Sequence, residues 1–467
     1  MTSTSTPQGT RAPSIFREPY RTATIALLII ITLIAFEAMA VSAALPTAAR
    51  DVHGLRYYGW AFTGFLLASV VGMVLSGQLC DQFGSRRPLA IGMLCFLAGL
   101  TVSGTATVMA TLVAGRVIQG FGSGLLITAC YVVIGETYPA ALQPKVFTAT
   151  SSAWVVPSLI GPLISGALTQ HLSWRWVFLG MLPFAVIGSA LLAAALRRTA
   201  DEAPHAGGAL ADPRRLLRAL AVAIGIALLE TAGQSRSLSS IALAVVGIAA
   251  AGWGLRTLLP KGTVVVRPGV AAPVALRGLL AGSFFGAEAV IPLSLTVQHG
   301  YGATAAGLPL AGAGIGWALG SWWQGRTHDT VVDDVSRRVR LMRTGFACTA
   351  AAIALVGFAE QTASPAWLAY PAWALAGLGA GLTMSTTSVL LLRYTTDAER
   401  GADSAALQLS DSSSSAITTG VAGVLVAAAV RGSMSYNAAF GIIAAIMCGI
   451  AVVGAAVAGR AGHTSEP

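Results

Sequence analysis

The stretch Gly77 to Leu89, GQLCDQFGSRRPL, places an aspartate and two arginines between two long apolar runs. The chain of 467 residues is 55% hydrophobic and only 10% charged, and its mean hydropathy is +0.72. A water-soluble domain of this length needs more polar surface than that composition can supply. The sequence therefore predicts an integral membrane protein, in which this stretch is a polar loop held at a membrane edge.

Apolar runs of about 20 residues recur along the chain, and each is long enough as a helix to cross a hydrocarbon core of roughly 30 Å. They predict an all-α membrane fold with fourteen spans. Six come first, at about 22–46, 57–80, 88–108, 109–134, 144–170 and 174–196. Two shorter candidates follow at about 216–234 and 237–257. Six more lie at about 271–298, 302–322, 338–358, 364–392, 404–430 and 434–459.

This pattern predicts three parts: an N-terminal six-helix bundle (1–198), a linker with two additional transmembrane helices (199–269) and a C-terminal six-helix bundle (270–467). The middle pair is the weaker prediction, because only eleven uncharged residues separate Arg218 from Glu230. One amphipathic insert, and twelve spans in all, is the alternative. Glu-Ala pairs at Glu37 and Glu288 stand at similar depths in the first helix of each half, which favours two parallel repeats.

Basic residues define the orientation, because cytoplasmic loops carry the excess of Lys and Arg. An inside N-terminus assigns 23 of the 29 basic residues to cytoplasmic segments and leaves only Arg116 within the membrane. The other five lie outside, at Arg50, Arg56, Arg175, Arg236 and Arg431. We expect both termini to be cytoplasmic in a multi-pass protein of the cell (plasma or inner) membrane. The net charge of +10 then reflects topology and anionic lipid, and no nucleic-acid partner is expected.

The opening stretch resembles the signature loop of the major facilitator superfamily, commonly G-x-L-a-D-r-x-G-r-r/k. Ser85 stands where a basic residue is usual. The matching residues are Gly77, Leu79, Asp81, Gly84, Arg86 and Arg87. The resemblance implies that Asp81 lies against the start of the fifth helix of the second half, near Asp403, and that this contact latches the outward-facing state. A plain positively charged loop is the alternative interpretation.

Two further segments resemble drug/proton antiporters of that superfamily. In LVAGRVIQGFGSG (112–124), Arg116, Gln119, Gly120 and Gly124 match the R-x-x-Q-G-x-G-x-G run of helix 4, where the arginine is thought to assist proton movement through a carboxylate. A static ion pair is the alternative. WVVPSLIGPLISG (154–166) partly resembles the helix 5 signature G-x-x-x-G-P-x-x-G-G. Ordinary kinked packing is the alternative there. The helix 5 residues of interest are Pro157, Gly161, Pro162 and Gly166, with Pro157 and Ser165 replacing two glycines.

Three carboxylates lie well inside predicted spans. Glu37 precedes Pro46 by nine residues, as the helix 1 acid does in fourteen-span drug antiporters, although M-A-V-S replaces their T-I-V-N core. Glu288 and Asp411 are the others. A carboxyl group that can be charged or neutral inside a membrane is what a reversible proton carrier needs. The candidates for proton coupling are therefore Glu37, Arg116, Glu288 and Asp411, with static hydrogen-bonded acids as the alternative.

The resemblance implies a proton-coupled major facilitator exporter of amphipathic, cationic drugs or toxic compounds, hence multidrug efflux and antibiotic resistance. Glu37, Gln119 and Glu288 are the candidate substrate-binding residues. We expect a monomer in the lipid bilayer that uses protons as its coupling ion, with no metal and no other cofactor. It is not expected to be an enzyme, since phosphate-binding and ligand-cluster motifs are absent from the sequence. The alternatives are an exporter of one endogenous metabolite, lipid or antibiotic and, more remotely, a non-transporting membrane sensor.

Overall fold

The computed structural model describes residues 15–139, 142–198, 213–233, 238–326, 335–395 and 400–462. Across these residues the regular structure is helical, with α-helices joined by short turns. The turn expected at residues 234–236 lies outside the described residues. Most predicted spans agree with an observed helix to within a few residues, because long apolar runs define where a chain can cross a bilayer.

The described residues of the first half of the chain contain eight α-helices. They are α1 (Arg21–Asp51), α2 (Tyr58–Phe83), α3 (Arg86–Gly104), α4 (Met109–Thr137), α5 (Gln143–Ser152), α6 (Val155–His171), α7 (Arg175–Leu179) and α8 (Leu182–Arg198). The predicted fifth and sixth spans are each interrupted, at 153–154 and at 180–181. Pro162 lies inside α6 without ending it. The fifth span is therefore interrupted before Pro157 and Pro162 and not at either proline.

Two helices follow, α9 (Pro213–Gly233) and α10 (Leu238–Leu258), and they pack against each other. The second half contains α11 (Ala271–Glu288), α12 (Ile291–His299), α13 (Ala303–Arg326), α14 (Val335–Ala359), α15 (Ala369–Tyr394), α16 (Arg400–Val430) and α17 (Tyr436–Val457). The predicted span 271–298 is broken after Glu288, and Pro292 stands in the first turn of the helix that resumes. We call α1–α8 the N-half and α11–α17 the C-half. The predicted boundaries at 198 and 270 remain predictions.

Twelve helices of the described chain are long and apolar enough to cross a membrane. The protein is therefore a multi-pass membrane protein. The α6 helix has only 17 residues, and glycines recur along α13, so neither belongs to this set. The exact count of fourteen spans therefore remains a prediction.

The two halves contact each other at one end of the molecule through hydrogen bonds. We call the end at which α1 begins and α17 finishes the terminus side, and the other end the opposite side. The halves meet mainly through α6 with α13 and through α2 with α16. Two hydrogen bonds join them on the opposite side: Tyr58 Oη donates to Ala289 O at 2.7 Å, and Thr304 Oγ1 donates to Gln170 Oε1 at 2.9 Å. The halves are thus closed against each other on the opposite side.

Candidate functional site

A buried ion pair lies inside the N-half. Glu37 on α1 is fully buried, and Arg116 on α4 is 3% exposed. Arg116 Nη1 pairs with Glu37 Oε1 and also donates to Gln119 Oε1 at 3.1 Å. The structure therefore brings together three of the residues singled out from the sequence, on two helices that are distant in the chain.

Helix α2 holds the guanidinium group of Arg116 from a second direction. Arg116 Nε donates to Ala61 O at 3.0 Å, and the guanidinium carbon lies 4.2 Å from the centre of the Phe65 ring. Gly120 and Gly124 allow this approach, because a Cβ at either position would clash with a backbone carbonyl of α2. Arg116 is thus fixed even without its carboxylate partner.

Two polar atoms of this cluster have no hydrogen-bond partner among the described residues. They are Glu37 Oε2, an acceptor when ionised, and Gln119 Nε2, a donor. A buried polar atom left without a partner costs about 1–3 kcal/mol, so a native structure keeps few of them. These two atoms can bind a proton on the carboxylate and a polar group beside it.

The helix 5 segment packs against the same part of α1. A Cβ at Gly161 would lie 3.4 Å from Met39 Cβ, and Ser165 Oγ donates to Ala40 O. Both contacts lie within four residues of Glu37 in the chain. The predicted segment thus touches the helix turns that carry the buried acid.

The other face of α6 meets the C-half. A Cβ at Gly166 would lie 2.6 Å from Thr304 Cα, and one at Gly307 would lie 3.3 Å from Pro162 O. Pro157 is buried in the first turn of α6. Glycine is required at 166 by the close approach of α13, so this segment is part of the contact between the halves.

Glu288 is separate from the Glu37 cluster. It is the last residue of α11, is 4% exposed and accepts a hydrogen bond of 3.4 Å from Trp373 Nε1. Trp373 stacks on Phe284 with ring centres 5.0 Å apart. The break in the helix after Glu288 leaves the carbonyl of Ala289 available, and Tyr58 of the N-half donates to it. Glu288 thus lies beside an aromatic cluster and next to a contact between the halves.

Asp411 has a partner that the sequence interpretation missed. Arg277 Nε donates to Asp411 Oδ2 at 2.9 Å, and Arg277 Nη1 donates to Met384 O at 3.1 Å. The expectation that only Arg116 remains in the membrane is wrong, because Arg277 lies within α11 and is only 16% exposed. Its position inside an apolar run that begins at residue 271 was the available signal. The C-half therefore carries an ion pair of its own.

A glycine turns the chain in the loop between α2 and α3. Gly84 ends α2 with φ +72°, a conformation that favours glycine, and its N–H donates to Cys80 O at 2.9 Å. Ser85, which replaces the usual basic residue, donates to Glu136 Oε2 on α4 at 2.6 Å. The hydroxyl of Ser85 thus links the loop to α4.

The latch contact predicted for Asp81 is not seen among the residues that the structure describes. Asp81 is exposed, and none of the described residues hydrogen-bonds to its carboxylate. A Cβ at Gly77 would meet no atom within 4 Å. Asp403, at the start of α16, accepts a hydrogen bond of 2.8 Å from Thr395 instead. Arg86 and Arg87 are exposed, and the Arg87 guanidinium lies over the Phe83 ring at 4.3 Å.

Comparison with known proteins agrees with this architecture. A multidrug efflux pump, SdrM of Staphylococcus aureus, is 32% identical over 168 residues, which are 36% of this chain and 38% of that protein. An acurin A biosynthesis cluster MFS-type transporter of Aspergillus aculeatus is 34% identical over 157 residues, 34% of this chain and 28% of that protein. The matched region thus spans well under half of these curated relatives.

A solved structure of a D-xylose–proton symporter matches the fold with a TM-score of 0.66 at 16% identity, over 95% of this chain and 99% of that one. At that identity the likeness shows the fold alone. The sequence itself matches the Major Facilitator Superfamily over residues 27–332. Since that match covers well over half of the chain and its relatives are transporters rather than enzymes, this protein belongs to the Major Facilitator Superfamily.

Proposed function

We propose that this protein is a proton-coupled exporter that moves amphipathic, cationic compounds out of the cytoplasm by alternating access, and so acts in multidrug efflux. The observation that supports this most is the Glu37–Arg116 pair. Charged groups in the middle of a membrane are costly and usually mark a pathway for ions or substrates. Here one carboxylate oxygen and one amide nitrogen of the cluster have no hydrogen-bond partner in the part of the chain that the structure describes.

Charge balance explains how such a cluster would exchange a proton for a substrate. Protonation of Glu37 removes its negative charge, while Arg116 stays in place through Ala61 O and the Phe65 ring. A cationic substrate favours the ionised carboxylate, and a proton abolishes it. The two therefore compete for one site, so that a proton moving inward drives a substrate outward.

The proposed topology has fourteen spans, both termini in the cytoplasm of a plasma-membrane protein, and a monomer as the working unit. The bundles comprise residues 1–198 and 270–467, joined by the linker 199–269. The terminus side then faces the cytoplasm, and the contacts on the opposite side fit a conformation closed toward the outside. An exposed Asp81 fits that state, because its latch contact belongs to the outward-facing one.

The test is transport by purified protein in proteoliposomes under an imposed pH gradient, with a fluorescent lipophilic cation as substrate. Glu37→Gln should abolish uphill efflux while downhill exchange of substrate for substrate persists, because only the uphill mode requires proton release. Glu18→Gln, an exposed acid outside the helices, is the matched control and should behave like the wild type. Gradient-driven efflux by Glu37→Gln at wild-type rates would remove Glu37 from the proton path and make Glu288 or Asp411 the next candidate.

A second candidate is export of one endogenous metabolite, lipid or antibiotic. The similarity to a transporter from a biosynthesis cluster supports it. Counterflow with a panel of chemically varied compounds separates the two candidates. Multidrug export predicts uptake of several unrelated cations, whereas dedicated export predicts one compound class.

A further inference from the structure

The additional helix α9 touches both halves of the transporter. It packs against α2 of the N-half and against α16 of the C-half, whereas α10 packs against α9. Only 17% of the apolar stretch that would cross the membrane in α10 is buried within the protein. Near the end of α9, three residues before Gly233, stands Glu230, which is 2% exposed.

The carboxyl group of Glu230 lies where α2 crosses α16. A Cβ at Gly59 of α2 would lie 2.5 Å from Gly423 Cα of α16 and 2.9 Å from Glu230 Oε1. A Cβ at Gly420, one turn earlier on α16, would lie 3.9 Å from Glu230 Oε2. The acid is therefore inserted beside a direct backbone contact between the halves, on the opposite side of the molecule.

Few described polar groups lie near the carboxyl group of Glu230. Thr63 of α2 presents its hydroxyl to it, yet neither Thr63 Oγ1 nor Glu230 Oε2 completes a hydrogen bond within the described chain. Glu230 also forms no ion pair with any described residue. An acid in such a place stands in contrast to Glu37 and Asp411, which each have an arginine.

The described titratable and charged groups of the helices packed against α9 do not form ion pairs with Glu230 either. Those groups are Tyr58, Cys80 and Asp81 on α2, Arg256 on α10, and Asp403 and Asp411 on α16. Just beyond the helix ends, Arg431 donates to Gly233 O at 3.4 Å and Arg56 lies over the Tyr57 ring at 5.6 Å. Since no described cation pairs with Glu230, a bound proton is what neutralises its carboxylate.

We propose that Glu230 is a proton-binding site between the two halves, and that α2 and α16 remain in contact on the opposite side only while its carboxyl group is protonated. A neutral acid is tolerated beside Gly59 and Gly423 because it needs one hydrogen bond or none. An ionised one needs water or a cation, and the close backbone contact excludes both. Ionisation therefore favours separation of α2 from α16. This role goes beyond the proposed function, because the group belongs to neither six-helix half.

The test measures the separation of the halves directly by pulsed electron paramagnetic resonance on the full chain in nanodiscs. Spin labels are attached through Tyr57→Cys and Ser433→Cys, both exposed on the opposite side, after replacement of the five natural cysteines. From about pH 5 to about pH 9 we expect the ratio of long to short distances to rise at least about tenfold, the effect of a difference of one pKa unit between the two conformations. In Glu230→Gln the short distance should persist at both pH values.

Two further variants make the result specific. Glu230→Asp keeps an ionisable group and should restore the response to pH. Glu360→Gln is the matched control, because Glu360 is also 2% exposed on the opposite side but follows α14 and bonds to Ser294 within the C-half. It should respond like the wild type. A wild-type distance that does not change with pH, or a Glu230→Gln variant that still responds, would overturn the proposal. Because no transport is measured, either result leaves the proton-driven efflux test independent.

Discussion

Removal of Arg116 should destabilise the protein more than neutralisation of Glu37. Both side chains are almost completely buried. Among the described residues Glu37 pairs with Arg116, whereas Arg116 also bonds to Ala61 O and Gln119. Arg116→Met leaves a buried carboxylate without a cation, which costs about 3–5 kcal/mol. Glu37→Gln keeps an acceptor for the arginine and should cost about 1.5–3 kcal/mol, the value of a hydrogen bond to a charged group.

The double variant distinguishes a costly pair from two independent residues. Glu37→Gln combined with Arg116→Met contains no buried charge at this site, so it should be more stable than Arg116→Met alone by at least about 1 kcal/mol. The free energy of unfolding is measured in mixed micelles titrated with sodium dodecyl sulfate. Additive effects in the double variant, or a cost below about 1 kcal/mol for Arg116→Met, would refute the reasoning. A stable double variant that lacks gradient-driven efflux would show that the pair serves more than stability.

Three further predictions concern Asp81 in the α2–α3 loop, the contact between Gly59 and Gly423, and Glu360, which follows α14. Asp81→Asn should lower efflux strongly while membrane insertion stays normal, because it removes the charge that opposes the start of α16 in the outward-facing state; undiminished transport would contradict the latch. Gly423→Ala should lengthen the distance between the labels at 57 and 433, since its Cβ would lie 2.6 Å from Gly59 Cα. Gly449→Ala, whose Cβ would meet no atom within 4 Å, should leave that distance unchanged, and equal effects of the two would refute steric control. Burial raises the pKa of Glu360 from 4.5 to about 8, so its stabilising contribution is present below pH 4.5 and is lost as the pH rises through 8. The free energy of unfolding should therefore fall by up to about 1.4 kcal/mol per pH unit across this range, and Glu360→Gln should remove that slope; an unchanged slope would exclude Glu360 as its source.

The positions of the helices could be predicted from the sequence, because the composition of a segment determines whether it can span a membrane. The fourth span was expected at about 109–134 and is observed as Met109–Thr137. The loop glycines could be predicted for the same reason, since the left-handed turn at Gly84 is a local requirement. Interruptions were missed, as at 289–290, because the apolar run continues through the break and the freed carbonyl of Ala289 is satisfied by a residue distant in the chain.

Pairing between distant residues was only partly predictable. Arg116 could be expected to need a carboxylate, because an arginine in the middle of an apolar run has no local partner. Arg277 lies close enough to the start of its helix to be taken for a cytoplasmic residue, and its contact with Asp411 depends on how α11 packs against α16. The position of Glu230 between the halves likewise follows from where α9 packs, about which its own sequence says nothing.

The hydrogen bond from Tyr58 to Ala289 O has a consequence for hydration. In the closed conformation this hydroxyl satisfies the carbonyl freed by the helix break and keeps it dry. When the halves part on that side, the carbonyl must find a new donor, and solvent entering the gap supplies one. Glu288 is the preceding residue in the chain. Under the proposed alternating access, opening would bring water close to this carboxyl group at the same moment, and a chain of water molecules would give protons a path between bulk solution and the buried acid.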